Sequence, residues 1–316
     1  MTHPVVSLLS TRAAAGSRAD GSRLALVVEG GGMRGVVSSA MTAAIEDLGL
    51  SPCFDLVVGT SAGALNGAAL LAGVAGGCAR EYAEGFAGRE FINPLRLLFG
   101  RPAVDVEFTL DYSSDHLDAG RHARALASDI ELHCVATDVG TASRGVLTGM
   151  STLDELRAAL LATSRLPWIG GRPVVFRDRR WLDGGLVEPV PVPTALEAGA
   201  THVLVLLSRA RGRVAPAGGG LGDRLVERRL RALNPNLVTA YRRRNAEAAA
   251  MLGTVHEAAD SGSGPPYLLA VAPSPDAPEP SRLERDRDRL RAAAAAAHRR
   301  TLDALAPAGV SPRPPC

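Results

Sequence analysis

The 316-residue sequence predicts an α/β layered fold with a largely parallel central sheet, on three observations. From Leu24 onward, short apolar runs alternate with helical stretches, the pattern of successive βα units. The first run, Leu24-Ala25-Leu26-Val27-Val28, ends in Glu29-Gly30-Gly31-Gly32-Met33-Arg34-Gly35, a glycine turn that opens a helical stretch at 36–48. The second, at 55–58, ends in Gly59-Thr60-Ser61-Ala62-Gly63 and opens another at 62–75.

Ahead of these units, residues 1–22 are rich in Ser, Arg and Ala and read as a loose, disordered tail. Further on, 130–139 and 201–208 read as buried strands and 152–164 as a helix. Residues 173–185 read as a short hairpin. These elements predict a catalytic domain over 23–208. After Ser208 comes a Gly/Arg linker, then a basic helical stretch at 224–252, a Ser/Gly/Pro break at 261–266, the strand Tyr267-Leu268-Leu269-Ala270-Val271 and a final helix around 282–305. That region, 209–316, reads as an Arg-rich, mainly helical extension whose last residues, Pro307 to Cys316, are disordered. Alanine propensity accounts for the poly-Ala centre of the final helix.

Composition excludes several function classes. A net charge of +2 gives no reason to expect nucleic acid as a partner. All 35 basic residues are arginine, as a GC-rich coding sequence produces, so lysine Schiff bases, Ser–Lys pairs and the P-loop lysine are ruled out. Cys53, Cys78, Cys134 and Cys316 lie far apart, without the spacing of a disulfide framework or a zinc site. The N-terminus lacks an apolar signal core, and no run is long enough to span a membrane. The expectation is a cytoplasmic protein.

Gly30, Gly32 and Gly35 fit G-x-G-x-x-G, the turn of dinucleotide-binding folds. Such a site wants an acidic residue at the end of the second strand, about 20 residues past the glycines. Here that strand begins with Asp55 and ends at Ser61, while Glu46 and Asp47 fall inside the first helix. The alternative is that both glycine turns lie on adjacent strands at one sheet edge. Gly59, Thr60, Ser61, Ala62 and Gly63 then form a nucleophile elbow, with Ser61 exposed by small neighbours at a helix N-terminus. The N–H groups of the first turn form an oxyanion hole.

The base for Ser61 is not an evident histidine. His116, His122, His133, His202, His256 and His298 sit in strand, helix or surface contexts. Asp183 instead ends a short strand just before Gly184 and Gly185. The simplest base is therefore Asp183, although Asp-Gly-Gly is equally a hairpin-turn signal.

The three motifs, in this order, resemble the patatin-like phospholipase family, in the form of a bacterial member. Residues 135–142 and 160–174 also resemble family segments, and the likeness covers about 24–208. The resemblance implies a three-layer α/β/α fold and hydrolysis of lipid acyl esters by a Ser61–Asp183 dyad, with no cofactor and no metal. It also implies an oxyanion hole within Gly30, Gly31, Gly32, Met33, Arg34 and Gly35, with the N–H groups of Gly31, Gly32 and Met33 as donors. Arg34 would brace the loop rather than face a phosphate. Glu29 stands where plant members often have Asp, with little consequence expected.

A lipid substrate implies an approach to a membrane surface. Between Arg224 and Leu252, seven Arg face two Glu among apolar residues, a composition suited to anionic headgroups or to an ordinary solvated helix face. Residues 91–102 line the acyl pocket, form a lid, or pack in the core. Two other functions remain open: an acyltransferase using the same acyl-enzyme, and a non-catalytic lipid-binding protein.

Overall fold

The computed structural model describes residues 2–167, 169–213 and 220–306. The expected disordered end at 307–316 lies outside the described residues. The strands are β1 (Leu24–Val28), β2 (Leu56–Thr60), β3 (Glu131–Asp138), β4 (Ser143–Leu147), β5 (Val174–Phe176), β6 (Arg179–Asp183), β7 (His202–Leu206) and β8 (Tyr267–Val271). They form one eight-stranded sheet in the order β5-β6-β3-β2-β1-β7-β8, with β4 paired to β3. The central pairings, β3-β2-β1-β7-β8, are parallel, and those of β4, β5 and β6 are antiparallel.

The helices are α1 (Pro4–Ala15), α2 (Gly35–Asp47), α3 (Ala62–Leu71), α4 (Ala75–Glu84), α5 (Val106–Asp111), α6 (Arg121–Leu126), α7 (Leu153–Ser164), α8 (Val192–Glu197), α9 (Leu221–Leu233), α10 (Asn236–Ser261) and α11 (Arg287–Leu305). Alternate β1 side chains enter two cores. Leu24, Leu26 and Val28 meet α1, α2, α3, α4, α7 and α11, whereas Ala25 and Val27 meet α8 and α10. Strands buried on both faces read as unbroken apolar runs, so β1 and β2 were legible. The result is a three-layer α/β/α fold.

Several expectations change. The N-terminal residues are not a loose tail: α1 buries Val5, Val6 and Leu9, and Pro4 supplies a favourable first position. Arg12 then reaches from the helix to Asp20 at 2.7 Å, Asp55 at 2.7 Å and the Cys53 carbonyl at 2.7 Å. A buried cation with several acceptors fixes the segment, which its polar composition concealed. Nor does packing stop at Ser208. β8 extends the sheet beside β7, α10 covers β8, and α11 lies on α2.

The expected helix at 62–75 ends at Leu71, because Gly73 takes a left-handed φ of 69° before α4 begins. The basic stretch is two helices, since Pro235 lacks an N–H and Asn234 is extended. The Asn234 amide donates to the Val139 and Gly140 carbonyls at 2.9 and 2.8 Å, which ties the break to the end of β3. The last helix starts at Arg287 rather than near 282. Asp286 caps it by accepting from the Asp288 and Arg289 N–H groups, each at 3.0 Å. Residues 282–286 belong instead to a strap that crosses the glycine turn.

Leu9 is fully buried, so Leu9→Ala should destabilise the protein by about 2–5 kcal/mol. Urea unfolding would measure the loss, and a change under ~0.5 kcal/mol would mean that α1 is not part of the folded core.

Candidate active site

The geometry of the site begins with β3. One edge of β3 pairs with β4; along the other edge β2 and β6 lie end to end. Thr60 at the end of β2 pairs with Val135, and Asp183 at the end of β6 pairs with the next residue, Ala136. β2 runs parallel to β3 and β6 antiparallel, so their C-terminal ends meet head-on. Ser61 Oγ donates to Asp183 Oδ2 at 2.6 Å. Both residues are buried, with 9% and 4% of their surface exposed.

Ser61 has φ 56° and ψ −130°, a conformation that costs a non-glycine residue about 1–3 kcal/mol. Its surroundings hold it there. The Ser61 N–H donates to Thr163 Oγ1 at 2.9 Å, and Thr163 donates in turn to the Val135 carbonyl. A Cβ on Gly63 would lie 2.1 Å from the Val28 carbonyl oxygen, and one on Gly59 would lie 2.5 Å from Ala64 N. The two motif glycines therefore permit close backbone contacts on either side of the turn.

Asp183 is also fixed. Its Oδ1 accepts from the Gly185 N–H at 2.7 Å, its N–H donates to the Arg165 carbonyl at 2.9 Å, and its carbonyl accepts from Thr137 Oγ1 at 2.8 Å. The hairpin turn is elsewhere, at Arg177 and Asp178, both with positive φ. Asp183-Gly184-Gly185 is the turn that follows the strand, and Gly184 passes so close to Val135 O that a Cβ there would lie 2.2 Å from it. Burial pushes the Asp183 carboxyl above its ordinary value, against the hydrogen bonds from Ser61 and Gly185 and the charge of Arg282.

The first glycine turn lies against the serine elbow. A Cβ on Gly30 would be 2.3 Å from the Thr60 carbonyl oxygen and 3.0 Å from Ser61 Cβ. Gly35 similarly admits Ala62 and Tyr82. Among the described residues, the N–H groups of Gly31 and Gly32 have no hydrogen-bond acceptor, and both glycines line a cavity with Ser61 and Asp183. The Met33 N–H differs from the expected third donor, because it donates to the Arg282 carbonyl at 3.0 Å. That contact comes from the distant strap and left no trace in the local motif.

Arg34 lies under the loop, 4% exposed, with Nε donating to Ser208 Oγ at 3.2 Å. Burial, helped by the nearby charge of Arg209, pulls it down to about 10, so it stays charged at neutral pH. Ser208 also bonds to the Gly30 carbonyl at 3.2 Å, and its N–H donates to Glu29 Oε2 at 2.6 Å. Glu29 thus ties the turn to the end of β7. Asn66, a buried polar residue on the apolar helix α3, donates to the Gly35 carbonyl at 2.9 Å and Ser38 Oγ at 3.1 Å and accepts from Tyr82. It locks α2, α3 and α4 together behind the site.

Among the described residues, no histidine bonds to Ser61 or Asp183. His133 pairs with Glu131, His202 with Thr201 and His298 with Asp47. His122 lines the apolar cavity described next, where burial and Arg121 hold it down to about 4 and hence neutral. The described residues contain no group of three or more His, Cys, Asp or Glu arranged for a metal ion, and Cys53, Cys78 and Cys134 are free and buried. No helix among them is long and apolar enough to cross a membrane.

Two cavities meet at Ser61, Gly32 and Leu166. One is narrow and apolar, walled by Leu65, Ala69, Tyr82, Phe86, Phe91 and Leu160. Phe86 packs against Tyr82, Phe91 and Tyr112 with centroid distances of 5.8, 6.0 and 5.4 Å, which stiffens that wall. The other cavity is more polar and is closed by Tyr241, Arg244 and Arg282 from the C-terminal region.

This geometry can be set beside known proteins. The family model for patatin-like phospholipases matches residues 26–196. The chain belongs to the patatin-like phospholipase family. It is also 30% identical, over 188 residues, to the uncharacterized protein YjjU of Escherichia coli strain K12, covering 58% of this chain and 51% of that one. The chain therefore matches about half the length of that relative.

The close approach of β1 to the elbow has a direct test. Gly63→Ala should destabilise by about 1–3 kcal/mol or prevent folding, because its Cβ meets a strand carbonyl. Gly253→Ala, in open space within α10, should stabilise by roughly 0.5–1 kcal/mol. Thermal unfolding of both variants would show opposite shifts in Tm if the packing is as described.

Proposed function

We propose that the protein is a serine lipid acyl hydrolase of phospholipase A or lysophospholipase type, with Ser61 as nucleophile and Asp183 as the group that takes its proton. The observation that carries this reading is the 2.6 Å Ser61 Oγ to Asp183 Oδ2 hydrogen bond, set beside unpaired glycine N–H groups at the meeting point of two cavities. Ser61 Oγ attacks the acyl carbonyl carbon as its proton passes to Asp183. The carbonyl oxygen, now negative, accepts from the Gly31 and Gly32 N–H groups; losing one such donor typically costs about 10²–10³ in rate.

Collapse of the tetrahedral intermediate breaks the ester C–O bond, and the departing alcohol takes the proton from Asp183. Water then attacks the acyl-enzyme, passes a proton to Asp183, and releases the fatty acid with Ser61 reprotonated. A carboxylate suits this role because burial raises its affinity for the proton. The apolar cavity holds the acyl chain, and Arg34 braces the loop.

Access to lipid is the remaining requirement. The segment spanning 91–104 has two ends of different character. Phe91 and Val104 line the acyl cavity, whereas Leu95, Leu98 and Phe99 at the tip are 62%, 78% and 79% exposed. An exposed apolar tip above an acyl cavity suits insertion into a lipid surface.

Hydrolysis of p-nitrophenyl esters of increasing acyl length tests the catalytic assignment. Ser61→Ala and Asp183→Asn should each lower kcat/KM by roughly 10³-fold or more, while His202→Ala should not. Activity surviving Ser61→Ala would refute the mechanism. The pH profile should show an acidic limb: as pH falls through the raised value of Asp183, above the ordinary 3.8, the carboxyl is protonated and the rate drops. An acidic midpoint at or below 3.8 would argue against Asp183 as the base. The double variant Leu98→Ser/Phe99→Ser should lower the rate on lipid vesicles, relative to that on a water-soluble short-chain ester, by about tenfold. An unchanged ratio would remove the tip from the membrane approach.

A further inference from the structure

The strap before α11 carries a cation to the mouth of the polar cavity. Its backbone is anchored at several points. The Arg282 carbonyl accepts from the Met33 N–H at 3.0 Å, and only a glycine at position 32 allows that approach, since a Cβ there would lie 2.6 Å from the same oxygen. Pro280 is buried, and the Glu284 carboxylate accepts from the N–H groups of Ser281, Arg285 and Asp286 at 3.3, 3.0 and 3.1 Å. Arg285 Nε donates to the Ala87 carbonyl at 3.3 Å. The residue bearing the side chain is therefore fixed against the candidate oxyanion loop.

The side chain itself is differently placed from its neighbours. Arg209 faces Glu279 at 3.9 Å, Arg244 stacks 3.4 Å over the Tyr241 ring and faces Asp223 at 3.8 Å, and Arg34 bonds to Ser208. The exposed Arg282 guanidinium has no ion-pair or hydrogen-bond partner among the described residues. Its charge nevertheless acts on Arg34, Arg209 and Arg244 as a like charge and on Asp183 as an opposite one. Arg244 and Arg282 line the cavity that Ser61 lines, the same two line an adjoining cleft with Arg34 and Arg209, and of these four Arg282 is the one without a partner among the described residues. An anion bound there would relieve their mutual repulsion.

We propose that Arg282 is a specificity-determining residue that recognises the phosphate of an anionic lipid headgroup, in the polar cavity, while the acyl chain occupies the apolar one. The two cavities diverge from Ser61, so an amphiphile spanning them would place its ester between its charged and apolar ends, beside the serine. A guanidinium suits this task because its planar fork of donors matches phosphate oxygens in pairs. Arg282 lies outside residues 26–196, the span that the family model matches, in the C-terminal region. The orientation of the ester rests on the acyl hydrolase reading; recognition of the phosphate does not.

The test has two arms. In the first, kcat/KM is measured for phosphatidylglycerol in mixed micelles and for a neutral p-nitrophenyl ester of the same acyl length. Arg282→Gln should reduce the ratio of the two values by about 10–100-fold, as loss of a charge-assisted pair predicts, and Arg282→Lys should recover part of it. An unchanged ratio, including an equal fall on both substrates, would overturn the proposal. In the second arm, calorimetry follows binding of dodecyl phosphate and of uncharged dodecyl maltoside to Ser61→Ala protein, with and without Arg282→Gln. Selective weakening of dodecyl phosphate binding supports the proposal even if the wild type hydrolyses no ester, in which case only the hydrolase reading fails. Equal binding in both backgrounds, or displacement by inorganic phosphate as effective as by dodecyl phosphate, would overturn the assignment of a lipid headgroup site.

Discussion

The structure depends on the way one edge of β3 is shared. β2 occupies its first half and β6 its second, so Thr60 and Asp183 pair with consecutive residues, Val135 and Ala136. A sheet register cannot slip by one residue without moving every side chain to the other face. The spacing between Ser61 and Asp183 is consequently set by the hydrogen-bond ladder of buried strands and not by flexible loops. Two groups that are 122 residues apart in sequence are held at hydrogen-bond distance by the most rigid part of the fold.

That arrangement leaves little room, and the glycines reflect it. Gly30, Gly59, Gly63 and Gly184 each stand where a methyl group would strike a backbone atom of the same turn or of an adjacent strand. The three motifs are thus one packed unit, in which each chain reversal presses on the neighbouring backbone. The strained backbone of Ser61 persists because Thr163 and the start of α3 hold it from opposite sides. Thr163, Thr137, Asn66 and Ser208 form the polar scaffold behind this unit, each buried with its hydrogen bonds directed at the loops.

Electrostatics give the site a direction. Asp183 is buried in surroundings that favour its protonated form, while Arg34, Arg209, Arg244 and Arg282 gather on one side. Glu29 and Glu279 offset part of that charge, and the opposite side is lined by aromatic and aliphatic groups. The resulting polarity runs from a cationic mouth, past the serine, into an apolar channel. This is the profile of an amphiphile, and the residues that create its cationic end come largely from beyond Ser208.

How much of this could be read from the sequence differs between particular residues. β1, β2 and the two glycine turns were legible because strands buried on both faces are continuous apolar runs and tight turns demand glycine. The layered α/β fold with a largely parallel sheet followed from their alternation, and its three layers from the family resemblance. Asp183 was ambiguous, since Asp-Gly-Gly serves a hairpin as well as an active site, and only the register on β3 brings it to Ser61. The helix α1 was hidden because its anchor, Arg12, draws its partners from the 20–22 and 53–55 segments. The engagement of Met33 and the position of Arg282 were invisible for the same reason, for they depend on a strap some 250 residues away. Local chemistry, written in neighbouring residues, was determined by the sequence on inspection: which turns are tight, which runs are buried, which polar side chains sit at the strand ends. Which of those groups face one another was decided by the tertiary structure, because the sheet register and the path of the C-terminal strap are properties of long-range packing.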